Sequence, residues 1–489
     1  MVAANTSPEY LDVLIVGAGI SGIDAAYHLQ KRCPAKSWLI LEARGAIGGT
    51  WDLFRYPGVR SDSDMYTLGF PFRPWTGEKA IADGAAIRDY VAATAREFGI
   101  DRRIRFGHRV ARASWSSAEA RWTVDVEAGG EVRRFSCGFL FLCSGYYDYA
   151  GGYRPEWPGE ARYKGRIVHP QHWPEDLDHA GKRIVVIGSG ATAVTLVPAL
   201  ADRAAHVTML QRSPTYIVAR PSRDGVAHWL QRRLPLKAAD WATRWKNVLL
   251  GIFFFSRARK RPEQVKAAIL KLATEALPPG YDVARDFAPA YNPWDQRLCL
   301  VPDGDLFAAM RDGRVAVVTD TIGTFTETGV ALASGAELAA DVVVTATGLA
   351  VKLLGGIDLI VDGERVDVAE RFSYKGMMLS GVPNLALSFG YTNASWTLKC
   401  DLTSRYVCRL LNHMDRRGYA VCVPELGDGA AERRPMLEFS SGYVRRAAGS
   451  LPSQGAKAPW RVHQNYLKDL AAMRLRPLAD EAMKFRRTG

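Results

Sequence analysis

Two glycine-rich turns, each set between an apolar run and a helical pattern, constrain this chain more than any other feature. The first lies in LDVLIVGAGISGIDAAYHLQKR. Val13 to Val16 form a continuous apolar run, the mark of a parallel strand covered on both faces. Gly17, Gly19 and Gly22 follow in G-x-G-x-x-G spacing. In that spacing the first glycine permits a tight turn, the second lets backbone approach a pyrophosphate, and the third lets helix pack on strand. The helix that follows aims its first N–H groups at the anion. SWLILEARG then reads as a second strand and ends in Glu42, 20 residues after Gly22. A carboxylate there accepts from ribose hydroxyls and repels a 2′-phosphate, which suits FAD.

The second turn repeats the unit in KRIVVIGSGATAVTLVPALADRAAHVTMLQRSP. Ile184 to Ile187 is the strand, and Gly188, Gly190 and Ala193 fill the glycine places. After the next strand no acid appears; the chain offers Gln211, Arg212 and Ser213. A guanidinium and a hydroxyl suit a 2′-phosphate, which points to NADPH, although a merely solvated Arg212 is the plain alternative. Two unlike dinucleotide units in one chain imply hydride transfer between two cofactors. The fold class expected is α/β, with two Rossmann-like dinucleotide-binding domains and a helical insertion in the second.

At 489 residues the chain exceeds one ordinary core. Further strands at 139–147 and 340–350 each run into a small-residue turn. We therefore expect a split FAD domain over 1–150 and 345–489, the latter with the C-terminal region, and an NADPH domain over 151–344. Helical patterns over about 225–295 form the insertion. Its run Val248 to Phe255 carries no charge and is followed by Arg257, Arg259, Lys260 and Arg261. The preferred reading is a helical cover over a substrate pocket; the other is a basic, apolar patch over 245–261 that touches a membrane surface. Seven cysteines without a CxxC pair argue against a disulfide framework and fit a reducing cytoplasm. No Cys lies between 33 and 137, which removes the redox pair of a flavin disulfide reductase. The beginning MVAANTSPEYLD has no signal-peptide character, and no apolar run is long enough to span a bilayer. A net charge of +13 suits an anionic partner, but Lys and Arg are scattered, so nucleic acid binding is not expected.

Between the two units stands YKGRIVHPQHWP, Tyr163 to Pro174. Gly165, His169, Trp173 and Pro174 resemble the fingerprint F-x-G-x-x-x-H-x-x-x-W-[PD] of type I Baeyer–Villiger monooxygenases, with Tyr163 in place of the usual Phe. GGTWDLFRYPGVRSDSDMY, Gly48 to Tyr66, resembles a second signature of that family, and the similarity runs over nearly the whole chain. The resemblance implies an NADPH-dependent flavoprotein oxidoreductase that converts a ketone and O2 to an ester or lactone through a C4a-peroxyflavin. It implies that Arg297, in NPWDQRLCLVP, keeps the peroxide deprotonated and that Asp62 positions Arg297, with Asp64 a nearby decoy. It implies FAD contacts at Gly17, Gly19, Ser21, Gly22, Glu42, Thr50, Trp51, Asp62 and the backbone of Val110. For NADPH it implies Arg60, Ser61, Gly188, Ser189, Gly190, Ala191, Thr192, Arg212 and Ser213. Gln296 stands where many relatives place a Lys for the 2′-phosphate. Gly165, His169 and Trp173 would form a hinge between the cofactors, with His169 transmitting movement and no metal bound. The alternative reading is a flavin N- or S-monooxygenase, since the same oxidant, once protonated, attacks soft nucleophiles such as sulfides and thioamides.

Overall fold

The computed structural model describes residues 8–296, 298–427 and 432–487. Both glycine units fold as read, each at the centre of its own sheet. In the first sheet, the parallel strands run in the order Ile104–Arg105, Trp38–Leu41, Glu9–Val16, Glu131–Leu142. Val13 to Ile15 are fully buried because helices cover one face and a second layer of chain covers the other. Glu131–Leu142 does two jobs. Its first half pairs antiparallel with Arg121–Ala128, and its last three residues pair parallel with Leu385–Leu387. Asp358–Val361 adds to the same sheet beside His108–Ser116. Segments from both ends of the sequence thus complete one sheet.

The second sheet is wholly parallel, in the order Val315–Thr319, His206–Gln211, Arg183–Ile187, Val342–Thr345, Arg166–Val168. The expected strand near 340 sits in its interior. Arg166–Val168 is an edge strand inside a segment whose polarity and prolines gave no strand signal. Only Val168 of it is buried, which is what an edge position demands.

Residues 225–287 are helical, as expected: Gly225–Gln231, Leu236–Lys260, Pro262–Ala276 and Val283–Phe287. The long helix is not confined to the second sheet's neighbourhood. Arg244 reaches the Tyr66 and Gly69 carbonyls at 2.7 and 3.0 Å, and Val248 packs with Tyr391 and Leu398. The insertion therefore braces the chain around the first sheet, a contact that periodicity within one helix does not reveal. Among the described residues no helix is long and apolar enough to cross a membrane.

Candidate active site

The C-terminal ends of the first sheet's central strands open into a cavity of about 660 Å³. Such crevices at strand ends are where open α/β sheets take ligands. The glycine geometry at its mouth is demanding. Gly17 has φ +103°, and a Cβ on Gly22 would stand 1.9 Å from the Gly17 carbonyl oxygen, so helix Ile20–Arg32 lies directly on the turn. Gly19 caps this helix without a side-chain hydrogen bond, leaving its first N–H groups available to an anion. Gly188 (φ +133°) and Gly190 repeat this arrangement at helix Ala191–Ala201. There a Cβ on Gly190 would meet nothing, so the backbone lies open to a ligand.

Glu42 ends its strand at the cavity wall. Its carboxylate accepts from the Ala18 N–H at 2.7 Å and the Arg44 N–H at 2.8 Å. Burial pushes its carboxyl above the ordinary range, and those two N–H groups oppose the shift. Thr50, Trp51, Asp62 and Val110 also line the cavity, with the Thr50 hydroxyl 3.2 Å from the Tyr149 hydroxyl. Ser21 lines it too, but its hydroxyl accepts from Trp396 Nε1 at 2.8 Å and lies 3.3 Å from Cys400 Sγ. The side chain thus anchors the helix start to the later helix Trp396–Arg417. Asp64 has a different task from Asp62. It caps helix Met65–Leu68 by accepting from the Thr67 N–H at 3.0 Å, and it also accepts from Asn247 at 2.9 Å.

Among the described residues of the second unit, Ala191, Thr192 and Thr195 reach this cavity, with Leu300 from a later strand. Gly188, Ser189, Gly190, Arg212 and Ser213 lie beside it, and Ser189 donates to the Ser213 carbonyl at 3.2 Å. Arg212 is exposed at the end of His206–Gln211, while Gln211 turns inward to donate to the Asp286 carbonyl and Thr319, each at 2.8 Å. Ser61 is buried, and its hydroxyl accepts from the Ser63 N–H at 2.9 Å. Arg60 lines the cavity with its guanidinium already paired to Asp305, one contact being 3.2 Å. A phosphate contact there has to compete with that carboxylate. Arg297 lies outside the described residues.

The fingerprint segment sits where the two sheets exchange chain. The Tyr153 N–H donates to Gly348 at 3.0 Å and the Asp148 N–H to Ala350 at 2.9 Å, so the two crossovers pair. His169 lies against both: a Cβ on Gly152 would come within 2.1 Å of its ring and 3.1 Å of the Gly348 oxygen. Burial lowers the His169 pKa. Gln171 and His172 tie the segment to the Asp148 and Ala150 carbonyls, at 2.7 and 3.2 Å. Trp173 packs on the second sheet's core. Tyr163 is accommodated because its hydroxyl donates to the Ala340 carbonyl at 3.0 Å. Gly165 is required beside it, since a Cβ there would meet that hydroxyl at 2.3 Å.

Several wall residues escaped the sequence reading. Tyr56, Tyr146, Tyr147, Tyr391 and Trp396 make much of the cavity aromatic. Burial pushes the Tyr56 hydroxyl to about 12, keeping it a neutral donor, with Thr192 beside it. Only the run SGYYDYA, directly after a strand, offered a local signal.

Behind the first glycine helix, Asp24, His28 and Asp401 cluster in the core, within reach of one metal ion. The hydrogen bonds argue for a charge network instead. Arg32 Nε donates to His28 Nδ1 at 3.3 Å, so Nε2 carries the proton it gives to Asp401 at 2.8 Å and has no lone pair to offer.

Known proteins agree with this arrangement. Residues 78–237 match the family model described as flavin-binding monooxygenase-like, and residues 15–76 match that of a NAD(P)-binding Rossmann-like domain. The chain is 59% identical to the FAD-containing monooxygenase EthA of Mycobacterium tuberculosis, over 98% of each chain. A steroid monooxygenase bound to NADP has the same fold, with a TM-score of 0.76 at 23% identity over 98% of this chain and all of that one. Cyclohexanone monooxygenase from Rhodococcus sp. Phi1, also bound to NADP+, reaches 0.71 at 22% identity, over 86% of this chain and 87% of that one. With two dinucleotide cradles facing one aromatic cavity and such identity along its length, this chain belongs to the FAD-containing monooxygenases, in the family that includes EthA.

Proposed function

We propose that this flavoenzyme is an FAD- and NADPH-dependent Baeyer–Villiger monooxygenase, placing one oxygen atom of O2 beside a ketone carbonyl to give an ester or lactone. The observation that carries the reading is the seat of Tyr163–Pro174, with His169 lodged against both crossovers between the sheets. A segment held there can couple movement of one nucleotide unit to the other. The NADP-bound structures that share this fold support the same cofactor here. We take 1–150 with 345–489 as the FAD unit and 151–344 as the NADPH unit.

FAD, when bound, supplies the activation of O2 with electrons drawn from NADPH. The chain's residues do the rest. Gly17, Gly19 and the uncapped helix start hold the pyrophosphate, and Glu42 holds ribose hydroxyls. Arg212 and Ser213 hold the 2′-phosphate at the exposed strand end. The aromatic wall excludes water from the reacting oxygen. Arg297 is assigned a permanent positive charge that stabilises developing oxyanions, and Asp62 orients it. The flanks of this residue are well held: Asp295 pairs with Arg259 at 2.5 Å, and Cys299–Pro302 pairs with Ile217–Arg220.

The test is oxygen-18 O2 with linear and cyclic ketones and a thioether. Label in an ester supports the proposal. Label confined to sulfoxide replaces it with the S-oxygenating alternative. Arg297→Ala is expected to retain flavin reduction by NADPH and lose ester formation; ester made at the parent rate refutes the role of Arg297.

A further inference from the structure

We propose that the helical insertion docks this protein on the surface of an anionic lipid bilayer. Among the described residues seventeen large hydrophobic side chains are exposed, and ten of them fall within 226–272. That is a tenfold shorter stretch than the chain, so the concentration is not the ordinary scatter of surface apolar residues. Trp241, Leu249, Leu250, Phe253 and Phe254 are each more than two-fifths exposed on the helix Leu236–Lys260. Leu250, Phe253, Phe254 and Arg257 recur at helical spacing of three, four and seven, so they share a face. The other side of this stretch is taken: Val248 is buried with Tyr391 and Leu398, and one turn earlier Arg244 is tied to the chain around the first sheet. The exposed aromatics are thus a built surface of a well-anchored helix.

Charge selects the occupant. Residues 225–276 hold eleven Lys or Arg against three acidic residues, of which Asp240 is buried. Arg257, Lys260 and Arg261 follow the apolar run, and Arg233 lies 4.4 Å from the exposed Trp229 ring. Exposed Trp, Phe and Leu rimmed by cations is the composition of an interfacial helix, whose apolar side enters the headgroup boundary while Lys and Arg meet lipid phosphates. A second copy of this chain is a poor occupant, because it would bring two such cationic faces together. Crossing the bilayer is excluded by the charges within the helix, so the contact is with the surface.

The test uses the full-length FAD-loaded protein in flotation with vesicles of phosphatidylcholine alone or with one-third phosphatidylglycerol, at about 0.1 M salt, about one Debye length of 10 Å. The expected result is co-flotation with the anionic vesicles, at least tenfold weaker on phosphatidylcholine and reversed at 1 M salt. Two variants, Phe253→Ser with Phe254→Ser and Lys260→Glu with Arg261→Glu, are each expected to lower the bound fraction at least tenfold. Both should keep FAD and elute with the parent on gel filtration, since these side chains point away from the body. Absence of binding to anionic vesicles overturns the proposal. So does binding that both variants retain, or a concentration-dependent dimer that the Phe variant abolishes. Vesicle binding needs no substrate, so its failure is distinct from failure of the proposed oxygenation.

Discussion

Replacing Asp24 with Asn should change how stability depends on pH, and the structure sets the size. Asp24 is wholly buried on the first glycine helix, next to His28 and Asp401. Burial raises its pKa from 3.8 to about 7, more than the neighbouring His28 lowers it, and Asp401 adds to the rise. The folded chain therefore keeps this proton up to about pH 7, whereas the unfolded chain releases it near 3.8. Folding takes up a proton between those values, so the stability linked to it is full below 3.8 and is lost as pH rises to 7. From pH 5 to 7 this is two pKa intervals at about 1.4 kcal/mol each, roughly 3 kcal/mol in all. With an unfolding entropy of roughly 2 cal/mol/K per residue, this corresponds to about 3 °C in Tm for a chain of this length. Asp401 does not enter the same window. Burial pushes its carboxyl up, but the hydrogen bond from His28 and the Arg405 charge outweigh that and hold it at about 2. The assay is thermal unfolding of the FAD-loaded parent and Asp24→Asn proteins at pH 5 and pH 8. The parent should lose about 3 °C more than the variant over that interval. A packing defect in the variant would offset both pH values equally and leave this difference intact. Parallel pH profiles would refute the reasoning.

Two further substitutions test the cofactor cradles. Gly22→Ala places a methyl 1.9 Å from the Gly17 oxygen and must push the helix off the turn, at a cost of about 1–3 kcal/mol. The purified protein should lose most of its FAD absorbance, and a full flavin complement would contradict the assigned close packing. Arg212→Ala should raise KM for NADPH about tenfold and leave KM for NADH unchanged, the loss of one charge-assisted phosphate contact. An equal change for both nucleotides in steady-state kinetics would assign Arg212 to general stability instead.

Much of this protein was legible one segment at a time. A strand, three glycines, a helix and a terminal Glu42 lie within a single βαβ unit, so their spacing alone carries the geometry, and the same holds for Gly188, Gly190 and Arg212. The helices over 225–287 were visible for the same reason. Tertiary structure decided whatever depends on residues distant in sequence. Trp396 meets Ser21 across 375 positions, Tyr163 needs the Ala340 carbonyl, and Arg60 is claimed by Asp305. The long helix divides its faces between Tyr391 inside and exposed Phe253 and Phe254 outside, an allocation its composition left open. Local periodicity specifies which element a segment forms and which backbone shapes it requires. Which partner fills each hydrogen bond, and which apolar face remains uncovered, is set by packing between segments that share no local signal.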